Sequence, residues 1–340
     1  MTDASWETLS NQAVAVCGVV YFLALLSHLV EWSALRKLPV SVGSISVAPG
    51  RGGSGAVAVA EGGPSGADGA DVDEAVERRT NLFGRLGLLL TIIAVAVHLV
   101  ALVGRGMAAE PNRVPWGNMY EFTLSGTFFI GATYLVLYRR FSLAWMAPIV
   151  TGVVLTLLMV DVIWLHEEVA PLTEALNSPW LVIHVVSAVI ATGAFTLGGI
   201  ASALFLLKER AERRGRSGSY LARVPATATL DRVAYRINAF AFPVWTFAVL
   251  ITGPIWAHQA WASYWNWDPK EVWAFITWVV YAGYLHARAT AGWKGRNAAI
   301  LALVGMATLW FSFIGVNFFV SSQHSYAEGL GESTIVSTRL

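Results

Sequence analysis

Histidine and tryptophan are the residues whose type and spacing in this sequence suggest chemistry. There are seven histidines and 15 tryptophans in 340 residues. Trp256, Trp261, Trp265, Trp267 and Trp273 fall within the segment GPIWAHQAWASYWNWDPKEVWAFITW, with Tyr264 among them. Imidazole is the commonest metal ligand among side chains, and indole offers a large flat apolar face with one polar N–H. Indoles set between two imidazoles at one depth suit a planar, largely apolar macrocycle whose iron takes axial ligands. The competing reading is an interfacial aromatic belt, which Trp and Tyr form at membrane surfaces. A belt accounts for tryptophans at helix ends, but less well for five in one short loop.

Choosing between these readings requires the elements that carry the histidines. Apolar residues make up 56% of the chain and charged residues 13%, with a mean hydropathy of +0.56. Soluble domains carry about 25% charge, so the composition predicts an integral membrane protein. A formal net charge of +1 argues against nucleic-acid binding, which needs a basic surface. The single cysteine, Cys17, excludes an internal disulfide, a CxxC pair, a Cys-based zinc site and a CxxCH haem-attachment site within this chain. No Ser-His-Asp pattern, Walker loop or GxGxxG context suggests nucleotide chemistry.

Spans need roughly 20 apolar residues, and eight such runs occur, near 11–30, 84–103, 121–138, 143–160, 180–207, 239–257, 272–290 and 297–320. The first follows a front with Asp3 and Glu7 but no Lys or Arg, so it reads as a retained anchor rather than a signal peptide. Nineteen of the 23 Lys and Arg residues fall in the loops of one side. The positive-inside rule makes that side cytoplasmic. The expected fold is therefore all-α, a polytopic membrane helix bundle of about eight spans with both termini on the outer face. Its divisions are an anchor (1–30), a cytoplasmic loop (31–83), a membrane domain (84–327) and an external tail (328–340). The Gly/Ala/Ser-rich stretch 43–70 has no aromatic residue and reads as a disordered linker.

On this frame His184 falls in the first turns of the fifth span, started by Ser178-Pro179, and His324 follows the eighth span by four residues. Both lie at the outer surface, as does the Trp-rich loop 256–273. Trp261 and Trp265, spaced i, i+4, would share a face if helical, and the Trp-rich piece is expected as an external interfacial helix or loop. Asp268, Pro269 and Glu271 have the order of an N-cap, a first helical residue and a capping-box acid. His286 lies 14 residues beyond Val272, roughly 21 Å deeper at helical rise. One metal cannot join it to His184 or His324. His286 is either a second ligand site or a residue snorkelling to the inner headgroups. His28 and His98 could each partner it, and spacing selects neither; His166 and His258 are weaker candidates. Trp116 and Tyr120 at the mouth of the third span are expected as a further wall, with Glu121 as a helix cap.

The segments WAHQAWASYWNWDPKEVWAFITW, NSPWLVIHV, LHAR, GVNFFVSSQHSYA and PWGNMYEF together resemble the CcsA/ResC family of System II cytochrome c biogenesis proteins, whose haem-handling signature is the Trp-rich WWD motif. The resemblance spans residues 84–327. It implies haem b as the bound substrate, with His184 and His324 as outer axial ligands. Trp256, Trp261, Trp265, Trp267, Asp268, Trp116 and Tyr120 would form the haem-binding shelf, and His286 would be an inner ligand paired with a histidine of a CcsB/ResB-type membrane partner. It further implies a cytochrome c haem lyase (synthase) subunit in the bacterial cytoplasmic membrane. This would export or hold haem for thioether attachment to the CxxCH of apocytochrome c, with a thiol-reducing protein keeping the cysteines reduced. A haem exporter that loads a chaperone without ligation is the alternative. The chain departs from the family in Ala262-Ser263, where Gly-Arg or Gly-Lys is usual, and in the Gly-rich loop 43–70.

Overall fold

The structure, a computed structural model, describes residues 2–34, 67–169, 178–215, 221 and 224–319. All regular structure among the described residues is helical. In chain order the α-helices are α1 (Asp3–Ala34), α2 (Ala67–Met107), α3 (Met119–Tyr138), α4 (Ala147–Trp164), α5 (Pro179–Arg213), α6 (Thr227–Thr246), α7 (Gly253–Trp261), α8 (Pro269–Ala289), α9 (Arg296–Trp310) and α10 (Val316–Phe319). A 3₁₀ turn over Leu143–Met146 leads into α4. Two π-helical segments, Phe247–Thr252 and Phe311–Gly315, join α6 to α7 and α9 to α10.

Six helical stretches are long and apolar enough to cross a membrane: 3–33, 74–107, 143–164, 179–213, 227–261 and 296–319. The chain is a multi-pass helical membrane protein. The expectation of eight spans adds α3 and α8, helices of 20 and 21 residues. Bilayer-facing apolar side chains stay exposed on these helices, such as Val19, Leu89 and Val136, because lipid takes the place of a protein partner there.

Two boundaries differ from the sequence expectation. The first helix begins at Asp3 rather than near residue 11, and the second begins at Ala67 rather than 84. Apolar runs mark only the membrane-embedded part of a helix. In α2 the charged stretch continues the same helix, with Glu74 and Arg78 paired at i, i+4. Of the stretch 43–70, residues 67–70 are therefore helical and not linker, while 43–66 lies outside the described residues. The tail 328–340 lies outside them too.

Helix α5 is the hub, packing on α3, α6 and α9. Glycine lets α6 come close: a Cβ at Gly198 would stand 2.2 Å from Asn238 Oδ1. At one end of the bundle, α2, α3 and the segment 165–169 are tied by a buried charge cluster. Glu121 accepts Arg105 Nε at 3.1 Å, Arg113 Nη1 at 2.6 Å and the Gly117 N–H at 2.6 Å. Arg105 also donates to Glu7 and to the Glu167 carbonyl. At the other end, Arg288 clamps Asp231 through two bonds of 2.6 and 3.1 Å. That bidentate pair fixes the last turn of α8 against the start of α6.

Candidate functional site

The N-terminal ends of α3, α5 and α8 and the C-terminal end of α4 meet around one cavity of about 520 Å³. Its walls are almost wholly apolar, and Trp164, Trp245, Trp256, Trp265 and Trp310 all face it. The volume lies in the range of small-molecule sites, about 300–1,000 Å³.

His184 reaches the cavity from the second turn of α5. That helix starts where the sequence predicts, with Ser178 Oγ capping the Trp180 N–H at 3.2 Å and Pro179 in the first turn. The imidazole is set from three sides. Its Nδ1 lies 2.9 Å from the Ala248 carbonyl oxygen. A carbonyl only accepts, so Nδ1 carries a proton, which in the neutral imidazole puts the ring lone pair on Nε2. The ring plane lies 12° from that of Trp256, with centroids 6.0 Å apart. Gly253 supplies the third side, since a Cβ there would stand 3.2 Å from His184 Cε1 and 3.1 Å from the Ala248 oxygen.

The π-helical segment makes this arrangement possible. Its i→i+5 bond runs from the Gly253 N–H to the Ala248 oxygen. The wider turn displaces α7 from the register of α6 and turns the Ala248 carbonyl toward α5. Nothing in the apolar run 239–257 signals this, so the support of His184 by Ala248 is invisible in the sequence.

Trp256 is buried, with Trp261 against it edge to face at 4.8 Å. Trp116 packs in the same cluster with Leu181 and Val185 and donates its N–H to Ser125 Oγ at 3.0 Å. Trp116 and Trp261 thus back the shelf from behind rather than face the cavity. The helix ends at Trp261, because Ala262 adopts a left-handed conformation, φ 55°. Trp261 and Trp265 therefore do not share a helical face, and the Trp-rich piece is helix up to Trp261 and loop beyond it. Trp265 lines the cavity, and Trp267 stands edge-on to it at 5.8 Å and 76% exposed. Trp267 is itself left-handed, φ 56°, a backbone state costly for a bulky residue. Asp268 holds its predicted place, accepting the Lys270 N–H at 2.9 Å while Glu271 accepts the Asp268 N–H at 3.2 Å. Its role in the structure is therefore that of a helix cap.

Tyr120 does not line the cavity. It is buried between the Arg105 guanidinium and the His166 ring, each 5.0 Å away, and belongs to the charge cluster. His324 lies outside the described residues. His286 sits near the far end of α8, 16 residues from Lys270, or roughly 24 Å at helical rise, and is exposed on the outer face of the bundle. His28 is buried between α1 and α2, 3.4 Å from both Glu31 and Thr91, and His98 is buried between Tyr21 and Phe128. Helix α8 packs on α9 and α6, while α1 packs on α2 and α4. Neither of these histidines is therefore placed to pair with His286. His258 stacks on Tyr264 at 4.3 Å. Lys270, Trp245 and Trp310, unremarked in the sequence, are lining residues that the fold brings in from separate helices.

Comparison with known proteins agrees with this architecture. Residues 116–324 match the family described as cytochrome C assembly protein. The cytochrome c biogenesis protein CcsA of Guillardia theta is 32% identical over 259 residues, covering 71% of this chain and 85% of that protein. CcsA of a Picosynechococcus species is 31% identical over 303 residues, covering 72% and 89%. Among solved structures, the cytochrome c haem lyase CcmF superposes with a TM-score of 0.59 at 15% identity, over 99% of this chain. The chain spans half the length of that lyase, and at this identity the likeness shows the fold. On its motifs and these relatives, the chain belongs to the cytochrome c assembly protein family, within the CcsA group.

Proposed function

We propose that this chain serves cytochrome c biogenesis as the membrane subunit of a cytochrome c synthase, holding haem b at the outer face for attachment to apocytochrome c. The observation that carries this reading is His184. Its tautomer is set by a backbone carbonyl, its plane by Trp256, and its Nε2 lone pair belongs to a ring bordering a large apolar cavity. That is the support an imidazole needs as an axial ligand, and the cavity walls suit a planar macrocycle. His324, four residues past the last span, is the second outer ligand in this reading.

The residues of the chain bind and orient; the substrate supplies the reactive groups. Each acceptor thiol S–H adds across a vinyl C=C, sulfur bonding one carbon and hydrogen the other, with no net oxidation. Holding both partners in reach removes an entropic barrier worth several kcal/mol, on the order of 7 or more for well-oriented groups. The acceptor's own CxxCH histidine displaces one outer ligand and frees the product. His286, exposed on the periphery of the bundle, is the ligand for haem arriving from the cytoplasmic side, its second histidine coming from a ResB-type partner. The membrane is the bacterial cytoplasmic membrane, with both termini outside.

Co-expression with the partner and an apocytochrome tests the reading. Covalent haem on a CxxCH acceptor, and none on its SxxSH variant despite equal haem export, is the expected result. Equal haem delivery without any thioether product would instead establish an exporter. His286→Ala should leave the outer site depleted of haem, and full loading of that site would refute the two-site route.

A further inference from the structure

The loop that follows α8 gathers more positive charge than the fold uses. Helix α8 ends at Ala289, with His286 exposed in its last turn. The chain then turns on two glycines at positive φ, Gly292 (63°) and Gly295 (67°), a conformation that glycine adopts at little cost. It is tied back onto the bundle. The Trp293 N–H donates to the Ala287 carbonyl at 3.1 Å, and the Gly295 N–H donates to Asp231 Oδ1 at 3.0 Å. The ends of α6, α8 and α9 that meet here carry one carboxylate, Asp231, against Arg232, Arg288, Lys294 and Arg296. Asp231 is committed, since it also binds two guanidinium nitrogens of Arg288. Lys294 and Arg296, on either side of Gly295, are exposed and make no ion pair among the described residues. The face of α8 leading away from His286 toward the cavity end is apolar, with Val279 and Phe275 exposed. An ionised carboxylate laid along that face would be costly. His286 lies four residues before Thr290, roughly 6 Å at helical rise. A tetrapyrrole ligated there therefore carries its carboxylate edge toward the loop and its apolar edge along α8.

We infer that Lys294 and Arg296 bind the carboxylates of the tetrapyrrole held at His286, making the loop 290–295 the site where haem is received and oriented. This rests on the reading of His286 as the inner ligand and deepens it. The ligand class is a planar tetrapyrrole with ionised carboxylates on one edge. The contacts are charge-assisted N–H···O bonds, from the Lys294 ammonium as a point charge and from the planar fork of Arg296. The vinyl-bearing edge then points along α8 toward the end of the bundle that holds the cavity.

The test uses the full chain with its partner in phosphatidylcholine nanodiscs, in a His184→Gly background that removes an outer ligand. It is titrated with ferric haem b and with haem b dimethyl ester, and read by the low-spin Soret band. The free acid should bind about tenfold or more tightly than the diester, the scale of one charge-assisted bond. The double variant Lys294→Gln, Arg296→Gln should lose that preference while keeping its affinity for the diester, and Lys294→Arg should keep it. Unchanged diester affinity also shows that the double variant is folded. His286→Ala should lose the band with both compounds. If the double variant retains the preference, the assignment of the two cations is overturned while the inner-ligand reading stands. If it loses affinity for both compounds alike, the cations serve the fold or lipid headgroups, and the assignment is likewise overturned. If His286→Ala leaves both titrations unchanged, the inner-ligand reading falls and the proposal with it.

Discussion

At the scale of single residues, the account depends on how closely His184 is boxed. Gly253→Ala puts a methyl 3.2 Å from the imidazole, tighter than ordinary packing, and the ring or the π turn must shift. Overpacking of this kind costs about 1–3 kcal/mol. The expected result is a purified complex of normal yield with a weakened, shifted Soret band, while Gly283→Ala, where a Cβ meets nothing within 4 Å, leaves the spectrum unchanged. Glu121 makes a second residue-scale prediction. Its carboxylate and the Arg105 side chain are both fully buried, so Glu121→Gln leaves the buried Arg105 with Glu7 as its remaining ion-pair partner, at a cost on the order of 3 kcal/mol. A clear drop in thermal-unfolding midpoint should follow, along with loss of the order that holds Trp116 against Trp256. An unchanged midpoint would show that the cluster contributes little.

At the scale of elements, the π-helical segment 247–252 is the device that positions the site. Deleting Leu250 should restore the α pitch and rotate α7 by about 100°, carrying Trp256 off the cavity and moving the Ala248 carbonyl away from His184. The chain should still insert and bind its partner, since α6 and α8 keep their own packing, yet it should lose haem absorption. Retained absorption would show that the π turn is incidental. This element also marks the limit of what the sequence discloses. The capping box at Asp268 and Glu271, the start of α5 at Ser178 and the shared level of His184 and the Trp-rich loop follow from local side-chain chemistry, and all are readable residue by residue. The π turn is not, because one extra residue within an apolar run leaves hydropathy unchanged. Trp261 and Trp265 look like one helical face because their spacing says nothing of the left-handed Ala262 between them. Tyr120 looks like a shelf residue by its nearness to Trp116, but Trp116 precedes α3 while Tyr120 lies in its first turn, and Arg105 from another helix claims it.

At the scale of the molecule, the distribution of Lys and Arg supports the proposed orientation of the bundle, and the structure separates two levels of histidine. His184 and the Trp-rich loop occupy one end of α8, with His286 near the other. Single-cysteine labelling tests the orientation in a Cys17→Ser background. A membrane-impermeant maleimide added to intact cells should label Ser263→Cys beside the cavity and spare Thr290→Cys at the far end of α8. The reverse pattern would invert the topology. The exposed face bearing His286 gives a matching expectation for the partner: His286→Cys should cross-link to it within the bilayer, and Ala201→Cys, buried on α5, should not. The central claim is that His184 ligates haem in the cavity. The most direct measurement is the reduced absorption spectrum of the wild-type complex beside that of His184→Gly, each with and without added imidazole. The account predicts a low-spin bis-histidine spectrum in wild type, its loss in His184→Gly, and its return with imidazole; an identical bis-histidine spectrum in the two proteins would contradict it.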